Sequence, residues 1–211
     1  RDSYDGLLAS GALPVAMGGD HSITLPILRA IAAKHGPVAL VHVDAHADVN
    51  DQMFGERETH GTVFRRAYEE GLIVPDLVFQ VGLRGTRYTA EDFSEAAGWG
   101  FNMIQAHEVW HKSLTPLGKS IRNDIGDHPC YLTYDIDSLD PAYAPGTGTP
   151  EIGGLTTPQA MELLRALRGL NIVGFDMVEV SPMYDTTGNT ALTAANLMFE
   201  ILSILPGVHY R

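Results

Sequence analysis

The 211 residues, 45% of them hydrophobic, are enough for one sizeable α/β domain with a proper core. A net charge of −12 argues against nucleic-acid binding, because phosphate contacts need a basic face. No apolar run reaches 18 residues and no secretory signal pattern is present, which predicts a protein without a membrane partner. The single cysteine, Cys130, excludes an internal disulfide and suits the cytoplasm, a reducing compartment.

Short apolar runs alternate with longer helical patterns along the chain. Several runs are β-branched and continuous, as in strands that are buried on both faces of a parallel sheet. The predicted strands are 14–17, 38–43, 77–83, 131–136 and 172–180, and the predicted helices are 24–35, 158–168 and 190–205. Thr157 is a plausible N-cap for the second of these helices, with Pro158 at its first position and Gly169 after its end. This order predicts one three-layer α/β/α domain over residues 1–211, with a mostly parallel sheet.

Polar residues with metal-binding side chains follow three of the predicted strands. In sheets of this type the reactive residues gather at the carboxyl ends of the strands. Residues two apart in extended chain point to the same side, so the segments DAHAD and YDID each bring their acidic residues to one point. The predicted cluster contains His21, Asp44, His46, Asp48, Asp135 and Asp137.

A lone aspartate at a strand end is usually a turn residue or an N-cap, and a lone histidine is more often an ordinary polar group. Three clusters at the same structural place favour a metal site instead. Four carboxylates held together would repel one another, and two divalent cations balance their charge. Carboxylate and imidazole ligands without thiolates suit manganese. Two metals that share carboxylates activate a water molecule, which indicates metal-assisted hydrolysis.

Several segments, in this order, resemble the signatures of the ureohydrolase family, which includes arginase, agmatinase, guanidinobutyrase and formiminoglutamase. The segments are GGDH, DAHAD, HGT, YDIDSLDPAYAPGTGTPEIGGL and DMVEVSP, within a resemblance that runs from about Pro14 to Leu205. It implies an arginase-like α/β/α fold and hydrolysis of a guanidino compound to urea and an amine. It also implies a homo-oligomer, a trimer or a hexamer.

The resemblance implies a role for each site residue. His21, Asp44, Asp48 and Asp135 resemble the ligands of one manganese ion, and Asp44, His46, Asp135 and Asp137 resemble those of the second, so that Asp44 and Asp135 bridge. His60 matches the histidine that passes a proton to the leaving amine, although alone it reads as the start of a helix over 61–70. Glu179 matches the glutamate that pairs with the substrate guanidinium, as a carboxylate can through two N–H donors.

The substrate is predicted to be a guanidino acid such as 4-guanidinobutyrate, with agmatine as the close alternative. Asn50 matches an asparagine that arginases place near the substrate carboxylate. The stretch HADVNDQMFGE and the ending EVSPMYDTTGNTALTAANLMFEIL are most similar to guanidinobutyrase and related guanidino-acid hydrolases. Without that match, Asn50 reads as a loop residue that tolerates turn geometry. More distant alternatives are a zinc deacetylase of related fold and an inactive binding protein.

Family members have on the order of 300 residues, still within one α/β domain, and carry strands and loops before the GGDH segment. Here 17 residues precede Gly18. We therefore expect the chain to be an N-terminally truncated fragment, poorly soluble or inactive alone, because an open sheet edge invites aggregation.

Overall fold

The computed structural model describes residues 2–85 and 92–208. Its six strands are β1 (Val15–Met17), β2 (Val38–Val43), β3 (Ile73–Leu83), β4 (Asn102–Gln105), β5 (Cys130–Asp135) and β6 (Ile172–Val178). Its helices are α1 (Asp2–Ala9), α2 (Thr24–His35), α3 (Val63–Glu69), α4 (Asp92–Gly98), α5 (Ala106–Val109), α6 (Thr115–Ile125), α7 (Thr157–Ala166) and α8 (Asn189–Ile204). Among these described helices, none is both long and apolar enough to cross a membrane.

The strands form one parallel sheet in the order β1-β6-β5-β2-β3-β4. All six residues of β2 are buried, which explains its continuous apolar sequence. Alternate residues of β2 enter different cores: Leu40 packs with α2 and α3, whereas Val41 packs with α6, α7 and α8. These two cores, one on each face of the sheet, confirm the predicted three-layer architecture.

The connections of neighbouring strands β2 and β5 lie on opposite faces of the sheet. The chain leaves β2 through α3 on one face and leaves β5 through α7 on the other. Such a change of side opens a crevice beyond the carboxyl ends of the two strands, where open α/β sheets bind their ligands. The acidic segments that follow β2 and β5 therefore border this crevice.

Differences from the predicted elements are concentrated at their ends. Helix α7 begins one residue earlier than expected, because Thr156 rather than Thr157 is its N-cap and forms a capping box with Gln159. The segment after His60 starts as a 3-10 turn, and α3 follows it. Strand β4 and helices α1, α4, α5 and α6 were not predicted. Strand β4 is only four residues long and half-exposed, and an apolar run therefore does not mark it.

Strand β1 lies at one end of the sheet and pairs with β6 in the described residues. Its outer residues are accessible, and Met17 is 77% exposed. This short edge carries His21 into the site through the Gly18-Gly19-Asp20 turn.

Candidate metal centre

Four of the six predicted metal-binding side chains line one cavity at the carboxyl edge of the sheet, and the other two, His21 and Asp44, lie next to them. The cavity has a volume of about 370 Å³. It is lined by residues that follow β2, β5 and β6, together with His60 and its neighbours. The lining residues that bear on function are His46, Asp48, Asn50, Met53, His60, Phe93, Asp135, Asp137, Thr149, Glu151 and Glu179.

One nitrogen of His21 faces three carboxylates. The His21 Nδ1 atom lies 3.0 Å from Asp48 Oδ2, 3.1 Å from Asp44 Oδ2 and 3.4 Å from Asp135 Oδ2. The other ring nitrogen, Nε2, lies 2.8 Å from the Thr133 hydroxyl. His21 is 1% exposed, and its Nδ1 forms no well-directed hydrogen bond within the described residues. A single proton on Nδ1 cannot serve three oxygens, whereas a metal cation accepts one nitrogen and several carboxylate oxygens together.

A second group of ligand atoms lies beside the first. His46 Nδ1 is 3.0 Å from Asp137 Oδ2 and 3.5 Å from Asp44 Oδ1. Asp44 belongs to both groups, since its Oδ2 faces His21 and its Oδ1 faces His46. This arrangement fits the bridging role that the resemblance implies for Asp44.

Burial and mutual repulsion define the electrostatics of this cluster. Burial raises the pKa of Asp135 well above its usual range, and the carboxylates of Asp137 and Asp44 raise it further. The pKa of Asp137 is raised for the same reasons, burial first and Asp44 second. Burial lowers the pKa of His46, but its hydrogen bonds to Asp137 and Asp44 outweigh that effect and raise it to about 12. The buried carboxylates therefore attract positive charge, which a proton or a bound cation supplies.

The loop after β2, rather than an extended strand, brings the DAHAD residues into place. Strand β2 ends at Val43, and Asp48 has a left-handed backbone with φ of 53°. Asp48 consequently faces His21, while His46 faces Asp137. The side chains lie close together through the path of this loop, and not through the alternation of an extended strand that the sequence analysis assumed. Gly85 lies against the His46 ring so closely that a Cβ atom there would overlap it.

Glu179 and His60 lie on the rim of the same cavity. Glu179 Oε1 accepts a hydrogen bond of 2.7 Å from the His21 backbone N–H and lies 4.0 Å from His60 Nδ1. Its backbone φ of 61° is left-handed, which is costly for a residue other than glycine. Burial raises the pKa of Glu179, so a cationic partner there is favourable.

Asn50 is held by the turn that carries His60. Its backbone N–H and its side-chain Nδ2 both donate to the Gly61 carbonyl oxygen, at 3.1 and 3.0 Å. The Nδ2 group also faces Met53 Sδ at 3.5 Å, and the Oδ1 atom is buried without a hydrogen-bond partner in the described part of the chain. Asn50 therefore organises this wall of the cavity as well as lining it.

Sequence reasoning missed several residues at the site. Thr149 donates to Asp137 Oδ2 at 3.3 Å, and Glu151 Oε1 lies 3.8 Å from His46 Nε2. Both belong to the GTGTPE segment, so their motif was visible although their contacts were not. His42, a histidine inside the apolar run of β2, was also missed and lies 2.6 Å from Asp44 Oδ2.

The donor set defines the class of site. Four buried or nearly buried carboxylates and two imidazoles converge without a thiolate, and the sheet supplies them from three strand ends. This is a carboxylate–histidine centre suited to divalent cations of intermediate hardness, in an arginase-like α/β/α fold.

Comparison with known proteins identifies the family. Residues 1–203 match the Arginase family, and the chain belongs to that family. It is 63% identical over 211 residues to a guanidinobutyrase of Pseudomonas aeruginosa, and this match covers 100% of the chain and 66% of that relative. It is 56% identical over 208 residues to a mitochondrial agmatinase of Gallus gallus, covering 99% of the chain and 61% of the relative. The chain thus spans somewhat less than two thirds of these relatives.

Solved structures agree with this assignment. A proclavaminate amidino hydrolase from Streptomyces clavuligerus superposes with a TM-score of 0.92 at 41% identity. The match covers 99% of this chain and 69% of that structure. The fold predicted from the strand–helix alternation is confirmed by this likeness.

Proposed function

We propose that the protein hydrolyses a guanidino acid to urea and an amine with two manganese ions per subunit. The observation that carries this proposal is the His21 nitrogen that faces three carboxylates, next to the second group around His46. Membership of the Arginase family and the similarity to a guanidinobutyrase support it.

The ligand set supports manganese in particular. Asp44, Asp48, Asp135 and Asp137 supply carboxylate oxygens, and His21 and His46 supply imidazole nitrogens, a mixture that manganese accepts well. Structural zinc favours thiolates, and Cys130, the single cysteine, is buried in β5 rather than at this edge. When bound, a pair of divalent ions lowers the pKa of water enough to supply hydroxide at neutral pH.

The chain's own residues then orient the substrate and move a proton. Glu179 receives the guanidinium through N–H donors, at a carboxylate already fixed by the His21 backbone N–H. The oxygen of water forms a bond to the guanidino carbon and gives up both of its protons. The bond from that carbon to the alkylamine nitrogen breaks, and that nitrogen gains two protons. His60, 4.0 Å from Glu179, passes a proton to the leaving amine. The products are urea and the amine.

The proposed substrate is a guanidino acid, for example 4-guanidinobutyrate. A carboxylate tail needs N–H donors, and one N–H of Asn50 faces only Met53 Sδ, a weak acceptor that a carboxylate can replace. Agmatine, with an ammonium tail, remains the second candidate, because the agmatinase of Gallus gallus is also a close relative. Glu151 on the cavity wall is the acceptor that would favour it.

The substrate assignment is tested by urea release from manganese-loaded protein with 4-guanidinobutyrate, 3-guanidinopropionate, agmatine and arginine. We expect the highest kcat/KM for 4-guanidinobutyrate. Loss of one hydrogen bond to a charged group costs about 1.5–3 kcal/mol, so Asn50→Ala should reduce the preference over agmatine by roughly 10- to 150-fold. The exposed Asn123→Ala is the matched control and should leave the preference unchanged.

A higher kcat/KM for agmatine would make the protein an agmatinase. If the Asn50→Ala variant keeps the full preference, residues in other loops bind the substrate tail. Elemental analysis that finds one tightly bound zinc in active protein would contradict the two-manganese centre.

Two further features belong to the same proposal. Family resemblance supports a homo-oligomer, which sedimentation of the purified protein would test. A buried, unpaired Cys130 suits a reducing compartment such as the cytoplasm. The agmatinase of Gallus gallus is named as mitochondrial, which makes the mitochondrial matrix the alternative.

A further inference from the structure

His42 is a buried polar residue in the middle of an otherwise apolar strand. It is 0% exposed and lies two residues before Asp44 in β2. Its ring packs against Phe64, with centroids 4.2 Å apart, and against His21 at 5.2 Å. A buried histidine in such a place is tolerated when both ring nitrogens have hydrogen-bond partners.

Gln80 determines which nitrogen of His42 carries the proton. It pairs with His42 across β2 and β3, and its Nε2 donates to the Ala47 carbonyl oxygen at 2.7 Å. A carbonyl only accepts, so this contact requires the NH₂ end of the Gln80 amide to point this way. The same NH₂ group lies 2.9 Å from His42 Nδ1, which must therefore accept. The proton of His42 is then on Nε2.

The protonated Nε2 of His42 donates to Asp44 Oδ2 over 2.6 Å. Both nitrogens of His42 are thereby occupied, and neither is free to bind a metal. Asp44 is the carboxylate whose two oxygens face the His21 and His46 groups, so its orientation determines whether it can serve both. Outer hydrogen bonds of this kind hold ligating side chains in the correct orientation.

We infer that Gln80 and His42 form a positioning pair that holds Asp44 in its bridging orientation, with His42 acting as a hydrogen-bond donor and not as a metal ligand. This inference rests on the proposed manganese centre. The rival role is direct ligation, because a ring nitrogen of His42 also lies within 4.8 Å of ligand atoms of His21, Asp44 and Asp48. Ligation would require the proton to move to Nδ1, where it would meet the NH₂ group of Gln80.

Manganese binding to the metal-free protein, followed by electron paramagnetic resonance of the free ion, separates these roles. His42→Leu removes the donor and should weaken manganese binding by roughly 10- to 100-fold, as expected for loss of an outer-shell partner. His42→Gln keeps an N–H donor at the position of Nε2 and should restore most of the affinity. Gln80→Leu should produce a smaller loss of manganese affinity. It removes the hydrogen bond that keeps the proton on Nε2, but the His42 ring remains.

Tyr131→Phe is the matched control. It removes a buried hydrogen bond of 2.8 Å between Tyr131 in β5 and Asp176 in β6, which does not involve Asp44. Manganese affinity should therefore be unchanged. Nitrogen-15 spectra of the metal-free protein supply an independent readout and should show His42 protonated at Nε2. This readout and the Gln80→Leu titration decide the question if His42→Leu does not fold.

The outcomes distinguish this inference from the proposed function. Wild-type affinity in His42→Leu, or a proton on Nδ1 in the wild-type protein, would overturn the positioning role while the manganese centre stands. Equal losses in His42→Gln and His42→Leu would favour direct ligation. A wild-type protein that binds no manganese would overturn the proposed function and this inference with it.

Discussion

At the scale of single residues, two site residues adopt backbone conformations that their side chains make costly. Asp48 and Glu179 both have positive φ, at 53° and 61°. Such a conformation costs on the order of 1–3 kcal/mol and persists where the surrounding contacts determine it. Glu179 is held by its N–H bond to the Gly19 carbonyl oxygen and by the His21 N–H on its carboxylate. The strain orients both carboxylates toward the cavity.

His60 is expected to act in proton transfer and not in metal binding. It lines the cavity, 4.0 Å from Glu179, and belongs to neither group of candidate metal ligands in the described residues. His60→Ala should therefore lower kcat by roughly 10²- to 10⁴-fold. Manganese content, measured by elemental analysis, should stay unchanged. His107→Ala, at an exposed position, is the control. An unchanged kcat in His60→Ala would contradict the proton-transfer role and leave His60 with a structural role at the start of its turn.

At the scale of elements, turns between strands and helices hold most of the functional residues. The loop after β2 is tied to the 3-10 turn at His60 through Asn50. It is also tied to the start of α3, where the Phe64 N–H donates to the Asp48 carbonyl oxygen at 3.0 Å. Arg84 ties another pair of loops by donating to the carbonyl oxygens of Asp137 and Glu151, at 2.7 and 2.6 Å. These contacts link the cavity walls to the rigid sheet.

The turn before α8 provides a prediction about pH. Asp185 accepts hydrogen bonds from the Thr190 and Thr187 backbone N–H groups, at 2.6 and 2.9 Å, and from the Thr187 hydroxyl at 2.7 Å. These bonds hold the pKa of Asp185 well below its usual range. A lowered pKa in the folded state stabilises the fold above the unfolded-state pKa of about 3.9, and this contribution is lost as pH falls below it.

Asp185→Asn should therefore lower the free energy of unfolding most at neutral pH, with a difference from wild type that shrinks as pH falls below about 4. Urea unfolding followed by circular dichroism at several pH values measures this difference. The exposed Asp127→Asn serves as the control and should show a smaller effect at neutral pH. A difference for Asp185→Asn that does not vary with pH would contradict the role of its charge.

At the scale of the whole molecule, the proposed metal centre joins parts of the chain that are distant in sequence. His21 follows β1, Asp44 and Asp48 follow β2, and Asp135 and Asp137 end β5 or follow it. Four of these side chains carry negative charge when ionised, so the fold brings repelling groups together. Bound cations would turn that repulsion into attraction and stabilise the native state relative to the unfolded chain.

Removal of manganese with a chelator should therefore lower the Tm of the protein, and added manganese should restore it. At a free concentration of 100 times Kd, one bound ion stabilises a fold by about 2.7 kcal/mol. Differential scanning calorimetry measures the shift, and Asp135→Asn should show a smaller one because it removes a proposed bridging ligand. Calcium at the same concentration is a control for nonspecific effects of divalent charge. An identical Tm with and without manganese would contradict the coupling.

The sequence alone determined the layers of the fold and the composition of the candidate site. Continuous β-branched runs such as β2 indicated strands buried on both faces, because local hydrophobicity records burial directly. The acidic motifs after β2 and β5 indicated a metal site, because several carboxylates in one place need counter-charges. The bounds of α2 were also predicted correctly, since Gly36 and Pro37 end it through their own backbone preferences.

The tertiary structure alone decided how those residues meet. His21 contacts three carboxylates from other parts of the chain, and one of them belongs to Asp48, whose backbone is left-handed. The hydrogen bonds from Gln80 to His42 and from His42 to Asp44 likewise connect neighbouring strands. No local pattern encodes such contacts, because they depend on the strand order and on the side from which each connection leaves the sheet. His42 is an example: in the sequence it is one polar residue in an apolar run. Its hydrogen bond with Gln80 on the neighbouring strand, which determines its tautomer, is visible only in the folded structure.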